Sequence, residues 1–151
     1  MKKYIFIGFV FFNYFVIAQT AQEYEVKYAI ETFFEGFHKS DSLKMKSVML
    51  PNITLQSIQP NKDGKEMVIT ENVSRFLKVV AQYAKTQNWE EELLSFKYNI
   101  DGKLAQVWVP YHFYLNGMLS HCGANSFQLF KEEDGWKIVS ILDTRRKNCG
   151  D

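Results

Sequence analysis

Between Glu23 and His38 the apolar residues Val26, Ile30, Phe33, Phe34 and Phe37 recur at spacings of three and four. That repeat places them on one face and predicts a long amphipathic first helix. Ser40 or Asp41 can cap a second, shorter helix from Leu43 to Met49, because either side-chain oxygen accepts from the free N–H groups of a first turn. Pro51 is expected to stop it. Ile53 to Ile58 reads as a short strand, and the polar stretch Gln59 to Glu66, with Asp63-Gly64 inside it, as an exposed turn. Thr70 then caps a third helix, ending near Gln87, with Val73, Phe76, Leu77, Val80 and Tyr83 on one side.

After Trp89 the punctuation changes. Asp101-Gly102, Asn116-Gly117 and Asp134-Gly135 now separate β-rich runs, and such pairs tolerate the positive φ angles that tight hairpins need. They predict four antiparallel strands: Leu93 to Ile100, Leu104 to Leu115, Leu119 to Lys131 and Trp136 to Thr144. Helices first and a meander afterwards imply an α+β layer architecture, with N-terminal helices packed on one face of a curved, mainly antiparallel sheet.

Hairpin register gives the first indication of chemistry. A two-residue turn at Asn116-Gly117 sets Leu115 opposite Met118, and counting outward pairs Tyr114 with Leu119, His112 with His121, Trp108 with Asn125 and Gln106 with Phe127. One face then carries two imidazoles, a phenol, an indole and an amide, the mixed character of a pocket wall. Val107, Val109, Tyr111 and Phe113 share the other face with Cys122, Ala124 and Ser126. The count leaves open which face meets the helices. At Asp134-Gly135 a two-residue turn and a three-residue loop with a bulge both fit. The bulged form sets Asn125 opposite Asp143 and brings that carboxylate to the histidine face, where it would orient an imidazole acting as a general base; the other form points it away.

Composition sets limits on this picture. Met1, Lys2 and Lys3 precede an apolar run from Tyr4 to Ile17 and small residues at its exit, the pattern of a secretory leader. Cleavage is expected between Ala18 and Gln19, with Ala21 as the alternative. A membrane anchor is the competing reading, but a span needs about 20 apolar residues, and this run is shorter. No Cys follows to accept a lipid. Residues 19–151 then form one domain, exported to the periplasm or the medium, with 16 basic and 17 acidic residues once Lys2 and Lys3 are gone. That balance argues against nucleic acid and, after leader removal, against a membrane surface as partners. Cys122 and Cys149 are the two cysteines. Export favours a disulfide between them over two thiols, the rival being a buried Cys122 and a Cys149 on a frayed tail.

Each candidate has a plainer counterpart. His112 and His121 are more often cross-strand partners than catalysts, and Trp108 and Phe127 are most simply packing. His38 ends the first helix and is expected to be solvated. Two histidines on neighbouring strands lack a third ligand, so no metal site is expected. Asp143 to Lys147 is a charge cluster of the kind usually found on solvated surface. Ser120, His121 and Asp143 make no hydrolase triad, since no nucleophile elbow precedes the serine.

Trp89-Glu90-Glu91, Ala105 to Tyr111, Ser120-His121-Cys122-Gly123, and Gly135 to Ile138 with Asp143 to Arg146 resemble exported members of the nuclear transport factor 2-like superfamily, in its SnoaL-like or lumazine-binding branch. The resemblance implies a cone-like fold, a curved sheet wrapping long helices, a cavity at the open end and a homodimer formed through the sheet. The superfamily includes acid/base isomerases and cyclases as well as non-catalytic binding members. The leading expectation is an exported domain that binds a small, partly apolar molecule, lined by Trp108, His112, Tyr114, His121, Asn125 and Phe127, without cofactor. The alternatives are an isomerase, cyclase or hydratase using His121 or His112 with Asp143, and a non-catalytic dimeric interaction protein.

Overall fold

The computed structural model describes residues 10–83 and 86–150. Residues 1–9 of the expected leader lie outside them, as do the side chains of residues 10–20, where the expected cleavage point falls, and of Tyr83. Helix α1, Val10–His38, leads through a cap at Asp41 into α2, Ser42–Ser47. Asp41 Oδ1 accepts from the backbone N–H groups of Leu43 and Lys44, at 3.1 and 2.9 Å, so of the two candidate caps Asp41 does the work. The helices close tightly at Gly36, where a Cβ would come within 2.7 Å of Met45 Cγ. No helix among the described residues is long and apolar enough to cross a membrane.

Strand β1, Met49–Pro60, is longer than the sequence pattern suggests and runs straight through Pro51. It is the chain beyond Ser47, not the proline, that ends α2. A turn follows in which Asn61 Oδ1 accepts from Asp63 and Lys65 N–H groups, and β2, Glu66–Thr70, returns antiparallel to β1. Thr70 therefore closes a strand and caps nothing. Helix α3, Val73–Tyr83, is capped by Asn72, whose Oδ1 accepts from Arg75 N–H at 2.9 Å.

The expected first meander strand is two. Both β3, Trp89–Leu93, and β4, Lys97–Asp101, pair with β5, Leu104–Leu115. The jog between them faces Pro110, which has no N–H to give the ladder, and Leu94 N–H donates there to the Pro110 carbonyl at 2.9 Å. Then come β6, Met118–Glu132, and β7, Gly135–Thr144. The sheet order is β2-β1-β7-β6-β5-β3, with β4 also on β5. The β1–β7 pair is parallel and the rest antiparallel.

Three helices and seven strands among the described residues thus form the expected α+β cone. Val26, Ile30, Phe33, Phe34 and Phe37 of α1 pack with Val107, Val109, Phe127, Leu129, Ile138 and Ile141 of the sheet. The face that meets the helices is therefore the one carrying the valines of β5.

Candidate functional site

Asn116-Gly117 does form the turn, with positive φ at both residues, and Leu115–Met118 and Tyr114–Leu119 pair as the count requires. The ladder then slips by one residue at Ser120. Phe113 lies opposite His121, His112 opposite Cys122, Val109 opposite Asn125 and Val107 opposite Phe127. A one-residue slip sends every later side chain of the strand to the other face. His112 does not face His121, and the predicted wall divides. Trp108, His112 and Tyr114 lie on the outer face, where His112 Nδ1 is 3.5 Å from Glu92 Oε2 and Trp108 is exposed. His121 and Asn125 face inward with Tyr111 and Phe113, while Phe127 is fully buried in the core and packs edge-on against Phe34.

The inner face and the helices enclose a half-open cavity of about 660 Å³, within the usual range for a small-molecule site. One wall is aromatic. Phe37 stacks on Phe76 and lies against Trp89 and Phe113, with ring centroids 5.7 to 6.4 Å apart. The opposite corner is polar and built from three strands. Ser57 of β1 sits beside Asp143 of β7 in the parallel ladder, and Asn125 of β6 faces Asp143 across the antiparallel one. This is the second of the two registers weighed for that hairpin, but its bulge lies mid-strand, between Gln128 and Leu129, rather than at the turn.

Asp143 is buried and saturated. Its Oδ1 accepts from the Ser57 hydroxyl. Its Oδ2 accepts from Arg145 Nε at 3.0 Å and lies 3.1 Å from the Tyr111 hydroxyl, which is also 3.0 Å from the Thr144 carbonyl. Arg145 Nη2 donates to Ser57 Oγ at 2.8 Å, closing the ring. Burial opposes the Arg145 charge, but Asp143, joined by Tyr111 and Glu91, outweighs it and raises the guanidinium pKa. Burial and the neighbouring Asp143 and Glu91 carboxyls hold the Tyr111 phenol far above its ordinary pKa. The carboxylate therefore orients a tyrosine, a serine and an arginine, not an imidazole.

The group that pattern reading missed is Glu91. It occupies the middle of β3, opposite Phe113. Asn125 Nδ2 donates to its Oε1 at 2.7 Å, its backbone N–H donates to His38 Nε2 at 2.9 Å, and Oε2 has no partner among the described residues. His38 is thus half-buried and engaged rather than solvated. The available signal was alternation: Trp89, Glu91 and Leu93 share a face, and an acid between two inward apolar residues points inward too.

Burial, helped by the nearby Asp143 charge and opposed by the Asn125 hydrogen bond and Arg145, raises the Glu91 pKa to about 8. His121 stacks on Phe113 with centroids 4.7 Å apart. Burial first, then the Arg145 and Lys147 charges, lower its pKa to about 4, against the pull of Asp143. Burial also lowers His38. At neutral pH Glu91 thus favours its protonated form, in the same cavity as the neutral His121 imidazole.

These shifts fix the sign of the pH dependence. From pH 4.5 to 8 folded Glu91 keeps a proton that the unfolded chain has released, so stability falls as pH rises. Between 6.5 and 4 the unfolded chain binds a proton that folded His121 refuses, so stability falls as pH drops. The two trends oppose below pH 6.5, and above it Glu91 acts alone. Denaturant melts should show unfolding free energy dropping by about 2 kcal/mol from pH 6.5 to 8. Glu91→Gln should flatten that limb; an unchanged slope in the variant would assign it elsewhere.

The family model described as "Putative lumazine-binding" matches residues 21–142. The chain belongs to this lumazine-binding family. Its fold is the one seen in solved structures of nuclear transport factor 2-like proteins. An NTF2-like protein of unknown function from Shewanella baltica is 17% identical with a TM-score of 0.61, covering 85% of this chain and 97% of its own. A "putative dehydratase from the NTF2-like family" from Streptomyces avermitilis is 17% identical with a TM-score of 0.65, covering 87% and 99%. A "putative scytalone dehydratase" from Novosphingobium aromaticivorans is 8% identical with a TM-score of 0.67, covering 87% and 88%. At these identities the likeness carries the fold alone. No curated protein matches the chain. The family match and the cavity together make this a ligand-binding or enzyme-like domain.

Proposed function

We propose that the chain encloses a small, partly apolar molecule in the cone, its rings against Phe37, Phe76, Trp89 and Phe113 and a polar atom at Glu91 and Asn125. The observation that carries this reading is a cavity of about 660 Å³, of ligand size, in which an aromatic wall faces a carboxyl oxygen with no partner among the described residues. Of the residues first expected to line it, His121 and Asn125 stay in the reading. Native mass spectrometry of freshly purified protein should show a retained small molecule or, from an emptied sample, uptake of compounds from an aromatic carbonyl panel. A bare chain that takes up none of them overturns the reading. Export and a homodimer remain part of the proposal: the mature N-terminus should begin at Gln19, and sedimentation should show two chains.

A second reading is favoured by one observation, a Glu91 carboxyl in the cavity wall whose burial raises its pKa to about 8. An acid/base enzyme would use Glu91 as the proton-transfer group, with Asp143 holding Tyr111 and Arg145 in place, rather than the Asp143–histidine pair anticipated from register. The dehydratase names among the structural neighbours make elimination of water the first reaction to assay. Once turnover is found, Glu91→Gln should lower kcat by about 100-fold or more. Turnover that is indifferent to this substitution removes Glu91 from the chemistry.

A further inference from the structure

Beyond Thr144 the chain continues for a short stretch that touches the cavity on one side and a cystine on the other. Arg145 reaches inward to Asp143 and Ser57. Arg146 forms a bridge to Cys122 through two backbone hydrogen bonds, 2.8 and 3.0 Å. Lys147 Nζ donates to the Ser120 carbonyl at 3.1 Å. Cys149 then closes back on Cys122 as a disulfide, with Cα atoms 5.7 Å apart. Cys122 follows His121 in β6, so the cystine and the cavity imidazole sit on opposite faces of adjacent residues.

The other anchors of this segment are the hydrogen bonds just given and the Arg145 N–H, which donates to the Ile58 carbonyl of β1 at 3.0 Å. Arg145, Arg146, Lys147 and Asn148 are exposed, and none of the buried core residues comes from beyond Asp143. Hydrogen bonds at an exposed chain end fray easily. The covalent link backs up these exposed bonds along residues 146–149, and with the Arg145 backbone tied to Ile58 it limits how far the Arg145 side chain can swing from Asp143.

We propose that the Cys122–Cys149 disulfide is a redox latch on the cavity: it fixes the C-terminal tail so that Arg145 stays seated on Asp143 and Ser57, and its reduction opens that corner to water. The inference is independent of the ligand. Reduction breaks the S–S bond, takes two electrons and two protons from a dithiol that closes to its own disulfide, and leaves two thiols. The freed tail carries Arg145 and Lys147 away from His121. The groups facing that ring are Phe113 and Tyr111 from β5, Ser120 from β6, Asp143 from β7 and the two tail cations. Loss of the cations leaves burial opposed by Asp143, so the imidazole accepts a proton more readily.

The test compares the oxidised full chain with the same protein treated with dithiothreitol, complete reduction being confirmed by a mass gain of about 2 Da. Hydrogen exchange at the Cys122, Arg145 and Arg146 amides should accelerate by about tenfold or more, with Val107 and Val109 amides unchanged. In parallel, the NMR titration of His121 should move from about 4 toward 6.5. Cys149→Ser, which leaves the buried Cys122 as a thiol, should reproduce both changes without reductant. Unchanged tail exchange and an unmoved His121 titration overturn the latch. So does acceleration spread evenly over the sheet, because the disulfide would then be a general staple.

Discussion

Gly123→Ala is expected to be the most damaging glycine-to-alanine change among the described residues. A Cβ at this position would sit 1.8 Å from the Thr144 carbonyl oxygen, 2.8 Å from its carbon and 3.0 Å from Tyr111 Cε1. The first two atoms are backbone, so the contact has no flexible side chain to absorb it. Gly123 faces Tyr111 in the β5–β6 ladder, and Tyr111 reaches on to the Thr144 carbonyl and Asp143. Relief of the clash must push Thr144 outward and with it the end of β7 that carries Asp143. Ordinary overpacking costs about 1–3 kcal/mol, and a backbone collision belongs at or above the top of that range. Thermal denaturation should show a fall in Tm on the order of 10 °C or more. Near-UV circular dichroism should report loss of the packed Tyr111 environment. A variant that melts with the parent would mean that the strands part here without strain.

Asp143→Ala should come next, with a loss of about 3 kcal/mol. Removing the carboxylate leaves the buried Ser57 hydroxyl without its acceptor and Arg145 without its counter-charge. An orphaned buried polar group costs about 1–3 kcal/mol, more when charged. Two features limit the total. The Arg145 side chain is 41% exposed, so water screens its unpaired charge, and Tyr111 keeps the Thr144 carbonyl. Chemical denaturation should therefore place Asp143→Asn, which preserves an acceptor for Ser57, between the parent and the alanine variant. Adding Arg145→Ala to Asp143→Ala should recover part of the loss, since the unpaired cation is then gone. Equal stabilities for all three variants would show that the ring of contacts around Asp143 contributes little.

The two effects share a cause, because Gly123 and Asp143 support the same corner of the cavity from neighbouring strands. That corner also decides against an Asp143-oriented imidazole base. A carboxylate near an imidazole suggests an oriented base, but here every strong donor around Asp143 belongs to Ser57, Tyr111 or Arg145. The carboxyl available to a ligand is Glu91, which came to the site through β3 and was hidden in sequence among Glu90 and Glu92.

The sequence by itself determined the helices, the last three strands and their turns, but not β2 or the division of the first meander strand into β3 and β4. The three-and-four repeat of α1, the Asp41 cap and the Asn116-Gly117 turn depend on residues within one or two turns of one another, and such short-range signals survive in the linear pattern. The α+β order followed from them. Only the tertiary structure decided which face of each strand looks inward. Side-chain direction alternates with a period of two, so the single extra residue at Ser120 carried His112, Trp108 and Tyr114 away from His121, and the bulge between Gln128 and Leu129 brought Asp143 in. Those slips are settled by partners far along the chain: the α1 aromatics that must be covered, the parallel β1–β7 pair, and the tail clasped to Cys122. Faces are a cumulative property of the whole ladder, and no local window contains them.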